Sequence, residues 1–498
     1  MINNKINRPV LLIGLTILFV IILSHFLNSI SIFGYTVKPV DLFSDIKSDT
    51  LLNSHSNSIR GQGIFDKLEN KYNASNKAPI NRKIENLPLT GNISYNLLSK
   101  LLNKNNNSNE SNLRIEPQVQ STKIQGILNT NVQITGNLNQ MKFFFNALKN
   151  SKNNIVRIAH YGDSGNEGDA ITADIRKILQ NQFGGKGVGY LSITSQDVDF
   201  RFTTKQTFSD NWKTVSVLTA NPQNLPLGIN GFVAIPQGSS WVRYETTNWD
   251  PQLKYFSTAK LFYSNAINSS IRYSINGSSD QNVNLKTGAD IKELDIPAQG
   301  GNATNIKITS TLANQAYFYG VSLESGNGVY VDNIAWRGNT GIGFREIPEA
   351  SLRQFAKLMN HKLIILMFGN NEATFTALDN TWYSNQMIKI INKLKTIFPE
   401  SSILMITVGD KDTKDRNKFV TDPNIIRILN IQKDIAAKTG IAYWNLFEAM
   451  GGNNSMDLWV HSSPPLAMMD YTHASSIGAS HIGQMIANAI INAYKNYK

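Results

Sequence analysis

The sequence predicts an α/β fold: a parallel sheet covered by helices, interrupted by a β-sandwich and preceded by a membrane segment and a polar spacer. Three observations carry this. Five apolar runs alternate with stretches whose apolar residues recur at helical spacing, the pattern of strands buried on both faces and joined by helical crossovers. The rhythm breaks between 196 and 328, where short alternating runs such as KTVSVL, SWVRYET and QAYFYGVSLES are punctuated by Gly, Asn, Ser and Pro, the signature of a two-sheet antiparallel unit. Residues 9–37 contain no Asp, Glu, Lys or Arg.

Taken in order, the chain begins with Lys5 and Arg8 followed by PVLLIGLTILFVIILSHFL at 9–27. About 20 apolar residues cross a bilayer, and basic residues on the N-terminal side keep that end in the cytoplasm. Residues 1–37 are therefore expected to be an uncleaved anchor, with the rest of the chain outside the cytoplasm. A cleaved signal peptide is the competing reading, and Ser29-Ile30-Ser31 is a poor small-x-small site for it. Residues 38–122 are rich in Asn, Ser and Lys, with NKNNNSNESN at 103–112. Such composition buries too little apolar surface to offset its ordering entropy, so it reads as a spacer.

The α/β part is expected over 123–195 and 329–498. Its runs are NIVRIAHYG (154–162), VYVDNIAW (329–336), KLIILMFG (362–369), SSILMITVG (401–409) and IAYWNLF (441–447); helical patterns occupy 138–150, 348–361, 383–398, 424–438 and 474–496. Residues 196–328 are expected to be an inserted sandwich. In it Trp241, Tyr244, Trp249 and Tyr255 are the candidate faces for a sugar, though aromatics in a sandwich commonly form its core.

The 498-residue chain has no cysteine, which excludes disulfides, thiolate metal sites and a cysteine nucleophile. A net charge of +12 suits anionic surroundings. The basic residues are scattered and not interleaved with aromatics, so nucleic acid is not an expected partner.

The polar residues that can carry chemistry follow the strands, as they do in open α/β sheets. HYGDSGNEGD follows the first run, placing Ser164 at the sheet's carboxyl edge and near a helix start. A serine there is often only a helix cap. WRGNTGIG follows the second run and offers the Gly338 backbone N–H. FGNNEA follows the third and supplies Asn371, a donor for a developing oxyanion. MDYTHAS precedes the last helical pattern, and Asp470 lies three residues from His473, close enough to orient its imidazole. His160, inside the first run, and His461 and His481 are structural candidates.

The segments GDS (162–164), Gly338, GNN (369–371) and DYTH (470–473) match in order and position those of the SGNH or GDSL-like hydrolase superfamily. Within it the chain resembles peptidoglycan O-acetylesterases, which carry a β-sandwich in the corresponding place. The resemblance implies a three-layer α/β/α, flavodoxin-like sheet. It also implies Ser164 as nucleophile, His473 as base, Asp470 as its orienter, and an oxyanion hole of Ser164 N–H, Gly338 N–H and the Asn371 side chain. Two positions depart from the pattern: Gly165 stands where relatives often carry a larger polar residue, and the third segment reads GNNE. The implied reaction is removal of O-linked acyl groups from an envelope polysaccharide, with no metal or cofactor. An O-acetyltransferase with the same triad, and a non-catalytic glycan-binding protein on this fold, remain as alternatives.

Overall fold

The computed structural model describes residues 128–497 except 199–200, 315 and 375–378, together with 31–32 and 35–36. The apolar segment 9–27 and the spacer 38–122 lie outside the described residues. Near the end of the charge-free stretch, Ser31–Ile32 pairs antiparallel with Tyr35–Thr36. Among the described residues no helix is long and apolar enough to cross a membrane.

The apolar runs form a parallel sheet. Its strands are β1 (Ile155–Gly162), β2 (Gly328–Ala335), β3 (His361–Met367), β4 (Ser402–Ile406) and β5 (Ala442–Trp444). The order is β2-β1-β3-β4-β5, with Thr135–Gly136 added antiparallel at the β5 edge. The strands read as continuous apolar runs because both faces are covered. Val156, Ile158, Leu363, Ile365, Leu404 and Ile406 share a core with α1 (Lys142–Lys149), α2 (Ala170–Phe183) and α6 (Ser476–Lys495). The alternate residues Ile364, Leu366, Ile403 and Met405 are buried too, on the face of α3 (Glu349–Met359), α4 (Asn380–Ile397) and α5 (Pro423–Thr439). Because β1 is flanked by β2 on one side and β3 on the other, the loops leaving these three carboxyl ends are neighbours. That is the switch point where doubly wound sheets bind ligands.

Two antiparallel sheets interrupt this pattern between α2 and β2. One joins Lys292–Pro297, Thr258–Ser264, Tyr317–Ser325, Phe232–Pro236 and Trp212–Ser216; the other joins Gln281–Asn284, Ile267–Ile275, Asn305–Asn314, Trp241–Thr246 and Thr204–Phe208. Their shared core includes Tyr244, Phe256, Leu261, Ile271, Ile306 and Phe318. The antiparallel pairing starts earlier than the residue 196 expected from sequence. Lys186–Ser192 pairs with Tyr317–Ser325, while its Tyr190 N–H donates to Asp332 Oδ1 of β2 at 2.9 Å. Glycines permit this double approach, since a Cβ on Gly187 would lie 2.4 Å from Leu323 O and one on Gly189 2.4 Å from Asp332 Oδ1. The seam is also tied by the buried ion pair of Arg157 (β1) with Glu324, and by Phe355 of α3, whose ring meets Tyr319 edge-on at 5.4 Å.

Candidate active site

Ser164 sits in the tight turn after β1, where Asn166 N–H donates to Asp163 O at 3.1 Å and Glu167 N–H to Ser164 O at 3.3 Å. Sequence placed it near a helix start, and the structure corrects this. A 3₁₀ turn over Glu167–Asp169 intervenes, with Gly168 at φ 76° and Asp169 at φ 68°. Asp169 occupies the α2 cap position without capping the helix; its carboxylate is taken by Arg176, Thr172 and Thr203. Ser164 is therefore neither the cap nor within the first turn of α2.

The last catalytic candidates come from the loop before α6. Asp470 Oδ1 accepts the backbone N–H groups of Thr472 and His473, both at 3.0 Å, a local turn of the kind short Asp and Asn side chains close. Its Oδ2 lies 2.7 Å from His473 Nδ1, and His473 Nε2 lies 3.0 Å from Ser164 Oγ. Asp470, His473 and Ser164 thus form a continuous relay.

Two further loops reach the same edge. Trp336 N–H donates to Gly162 O at 3.2 Å, which holds the loop after β2 against the end of β1. Within that loop Gly338 is at φ 78°, a left-handed conformation that favours glycine. After β3, Gly369 adopts φ 142°, and a Cβ there would lie 2.6 Å from Val408 Cβ. The next turn presents Asn371, whose Nδ2 donates to Asn339 O at 3.0 Å and lies 3.5 Å from Asp163 Oδ2. The loops after β1, β2 and β3 therefore meet around Asn371.

No family model matches the chain, and no curated protein matches it. A solved structure of a peptidoglycan O-acetylesterase aligns with TM-score 0.60 and 18% identity, covering 73% of this chain and 99% of that one. The chain shares the fold of that esterase. Two other solved structures align at TM-score 0.25: a family two carbohydrate esterase from Cellvibrio japonicus, at 9% identity over 59% of this chain and 98% of that one, and a GDSL-like lipase from Parabacteroides merdae, at 15% identity over 34% and 74%.

The electrostatics at the β1 edge are asymmetric. His473 is pulled above its ordinary value of 6.5 by the hydrogen bond with Asp470, which outweighs its burial. Burial alone pushes the Asp470 carboxyl up, but the hydrogen bonds from His473 and Thr472 leave it below its usual value. Behind the nucleophile lie carboxyls that sequence reasoning passed over. Burial pushes Asp163 up to about 6 and Glu372 up to about 8. Glu167, also raised by burial, takes both Nε and Nη2 of Arg337, at 2.9 and 2.7 Å. Asp163 and Glu372 stand inside the motif segments GDS and GNNE, so their positions were visible; their burial was not.

The remaining candidates fall elsewhere. His160 is fully buried beside Asn166 and is pushed down to about 3 by that burial, so it stays neutral. His461 pairs with Asp457, and burial lowers His481. Among the aromatic candidates Tyr244 is corrected outright. It lies in the sandwich core with its hydroxyl donating to Ser192 O at 2.7 Å, so it offers no face to a sugar. Trp249 packs on Phe202 at 5.3 Å. Trp241 carries the Lys307 ammonium 4.7 Å from its ring centre, and Tyr255 is 37% exposed.

Proposed function

We propose that this protein is a serine esterase that removes O-linked acyl groups, acetyl foremost, from a cell-envelope glycan through an acyl-serine intermediate. The observation that carries the proposal is the relay from Asp470 Oδ2 through His473 to Ser164 Oγ, with contacts of 2.7 and 3.0 Å. A neutral His473 Nε2 takes the hydroxyl proton as Ser164 Oγ attacks the ester carbonyl. Negative charge then collects on the carbonyl oxygen. Ser164 N–H, Gly338 N–H and the Asn371 amide donate to it, each such donor being worth roughly 3 kcal/mol of barrier. His473 returns its proton to the departing sugar oxygen, and a water, deprotonated by the same histidine, releases the carboxylate product and restores the serine.

The substrate class is supported by the likeness to a peptidoglycan O-acetylesterase, which at 18% identity speaks for the fold. Lys5 and Arg8 before the apolar run at 9–27 support a single anchor with the catalytic part outside the cytoplasm. The exposed Tyr255 and the partly exposed Trp241 and Trp249 are the aromatic faces left for glycan contact.

The test is acetate release from O-acetylated peptidoglycan and from an aryl acetate, with Ser164→Ala as the control. Wild-type protein should release acetate from both, and the variant from neither. Wild-type rates from folded Ser164→Ala, or acetyl transfer to an added glycan acceptor without free acetate, would overturn the proposal.

A further inference from the structure

Asp163 stands beside the nucleophile but outside the triad. It is 7% exposed; Oδ1 accepts Gly165 N–H at 2.9 Å, and Oδ2 faces Asn371 Nδ2 at 3.5 Å, the edge of hydrogen-bond range. The Asn371 amino group also donates to Asn339 O at 3.0 Å. An amide side chain has a donor end and an acceptor end of nearly identical shape, and its partners alone decide which way round it sits. Both partners of Asn371 are acceptors, one in the nucleophile loop and one in the loop after β2, so both demand nitrogen at the end of the amide that faces them.

Resting on the serine-esterase reading, we infer that Asp163 is a positioning residue that keeps the amino end of Asn371 turned toward Ser164. The short contact to Asn339 O acts as the fixed point. The long contact to Asp163 biases the amide without holding its second N–H tightly, so that N–H can pass to the oxyanion as charge develops.

The charges nearby suit this role. An ionised carboxylate only accepts, and Asp163, at about 6, is ionised at neutral pH. Its neighbour Glu372 is fully buried, takes the Tyr383 hydroxyl at 3.0 Å on Oε1 and, at about 8, keeps its proton there. Of the two carboxyls behind the oxyanion position, Asp163 is the one that cannot donate.

The test is a rank order. Asp163→Asn preserves the side chain's shape but adds an amino group. Whichever way the new amide turns, that group meets the N–H of Gly165 or of Asn371, so the amide of Asn371 is driven to flip or the nucleophile loop to shift. Asp163→Ala removes an acceptor and opposes nothing. In full-length protein hydrolysing an aryl acetate, Asp163→Asn should lower kcat by on the order of 10²–10³-fold with KM nearly unchanged, the loss expected for one oxyanion donor. Asp163→Ala should lose less. A merely structural role reverses the order, because Ala leaves a cavity and Asn fills it.

In an Asn371→Ala background both substitutions should be nearly silent. If Asp163→Asn does not fold, the alanine pair decides alone: an equal kcat loss from Asp163→Ala with and without Asn371 overturns the inference. So does a folded Asp163→Asn that is as active as Asp163→Ala or more so. These outcomes stand apart from the esterase reading, which fails if folded Ser164→Ala keeps its activity or if acetyl passes to an added acceptor without free acetate.

Discussion

In the parallel sheet β1 to β5 all leave at the same edge, so Ser164, the Gly338 loop and Asn371 come together although the antiparallel sheets are inserted between the first and second of them. In those antiparallel sheets successive strands reverse direction and the loops are shared between two ends. There the polar side chains tie one loop to another, as Asn276 does by accepting N–H groups from Thr304 and Asn305 at 2.8 and 3.2 Å, or they tie the seam, as Glu324 does with Arg157. Parallel topology concentrates loops, and with them the residues able to act on one substrate; antiparallel topology distributes them. The two regions should therefore fail differently when altered.

The largest expected effect lies at the parallel edge. Ser164→Ala or His473→Ala should cost on the order of 10⁴–10⁶-fold in kcat for a small aryl acetate, and the double variant little more, because a unit that has lost one member cannot fail twice. Trp241→Ala, in the antiparallel sheets, should leave the same assay unchanged. A folded Trp241→Ala that loses aryl-acetate hydrolysis breaks the contrast.

Next comes Asp470→Asn, expected to lower turnover by roughly 10³–10⁴-fold through the wrong histidine tautomer. Its pH profile sharpens the point. His473 is raised above 6.5 by Asp470, and only the neutral ring accepts the serine proton, so wild-type activity should fall as pH drops through a midpoint above 6.5. Removing the carboxylate lowers the histidine pKa, so the residual activity of Asp470→Asn should persist to lower pH. An unmoved acid limb would assign that limb to another group.

Smaller in effect, and of another kind, is Glu324→Gln at the seam. Arg157 and Glu324 have 4% and 3% of their side chains exposed, and stripping a buried charge of its partner costs about 3–5 kcal/mol. The second carboxylate, Asp332 Oδ1 at 3.9 Å from Arg157 Nη1, places the expected loss at the low end. Urea denaturation should register it, while hydrolysis per folded molecule stays near wild type. A loss of activity without a loss of stability would mean the seam serves the site directly.

The smallest effect separates two tyrosines of the antiparallel region. Tyr244→Phe forfeits the bond to Ser192 O, worth about 1 kcal/mol of stability, and should leave glycan retention alone. Tyr255→Ala should change stability by under about 0.5 kcal/mol and weaken retention on insoluble peptidoglycan. Equal behaviour of the two would remove the glycan role from Tyr255.

Much of this was legible along the chain because it is local. Continuous apolar runs announced strands covered on both faces, helical spacing announced the crossovers, and Asp470 and His473 are close enough in sequence to meet within one turn. The GDS, Gly338, GNN and DYTH segments carried the likeness to the SGNH/GDSL-like hydrolases. What depends on distant residues was not legible. Ser164 and His473 are 309 residues apart and Asp163 and Asn371 208; the packing of α6 against α2 brings the first pair together, and the neighbouring of β1 and β3 the second. The left-handed Gly168 and Asp169 separate Ser164 from α2 because Arg176, Thr172 and Thr203 claim the Asp169 carboxylate. Tyr244 reads as a binding aromatic until Ile306, its neighbour across the strands, and the rest of the core close over it. Composition and period specify what a segment can form; burial and the company a side chain keeps are settled by the segments that fold against it.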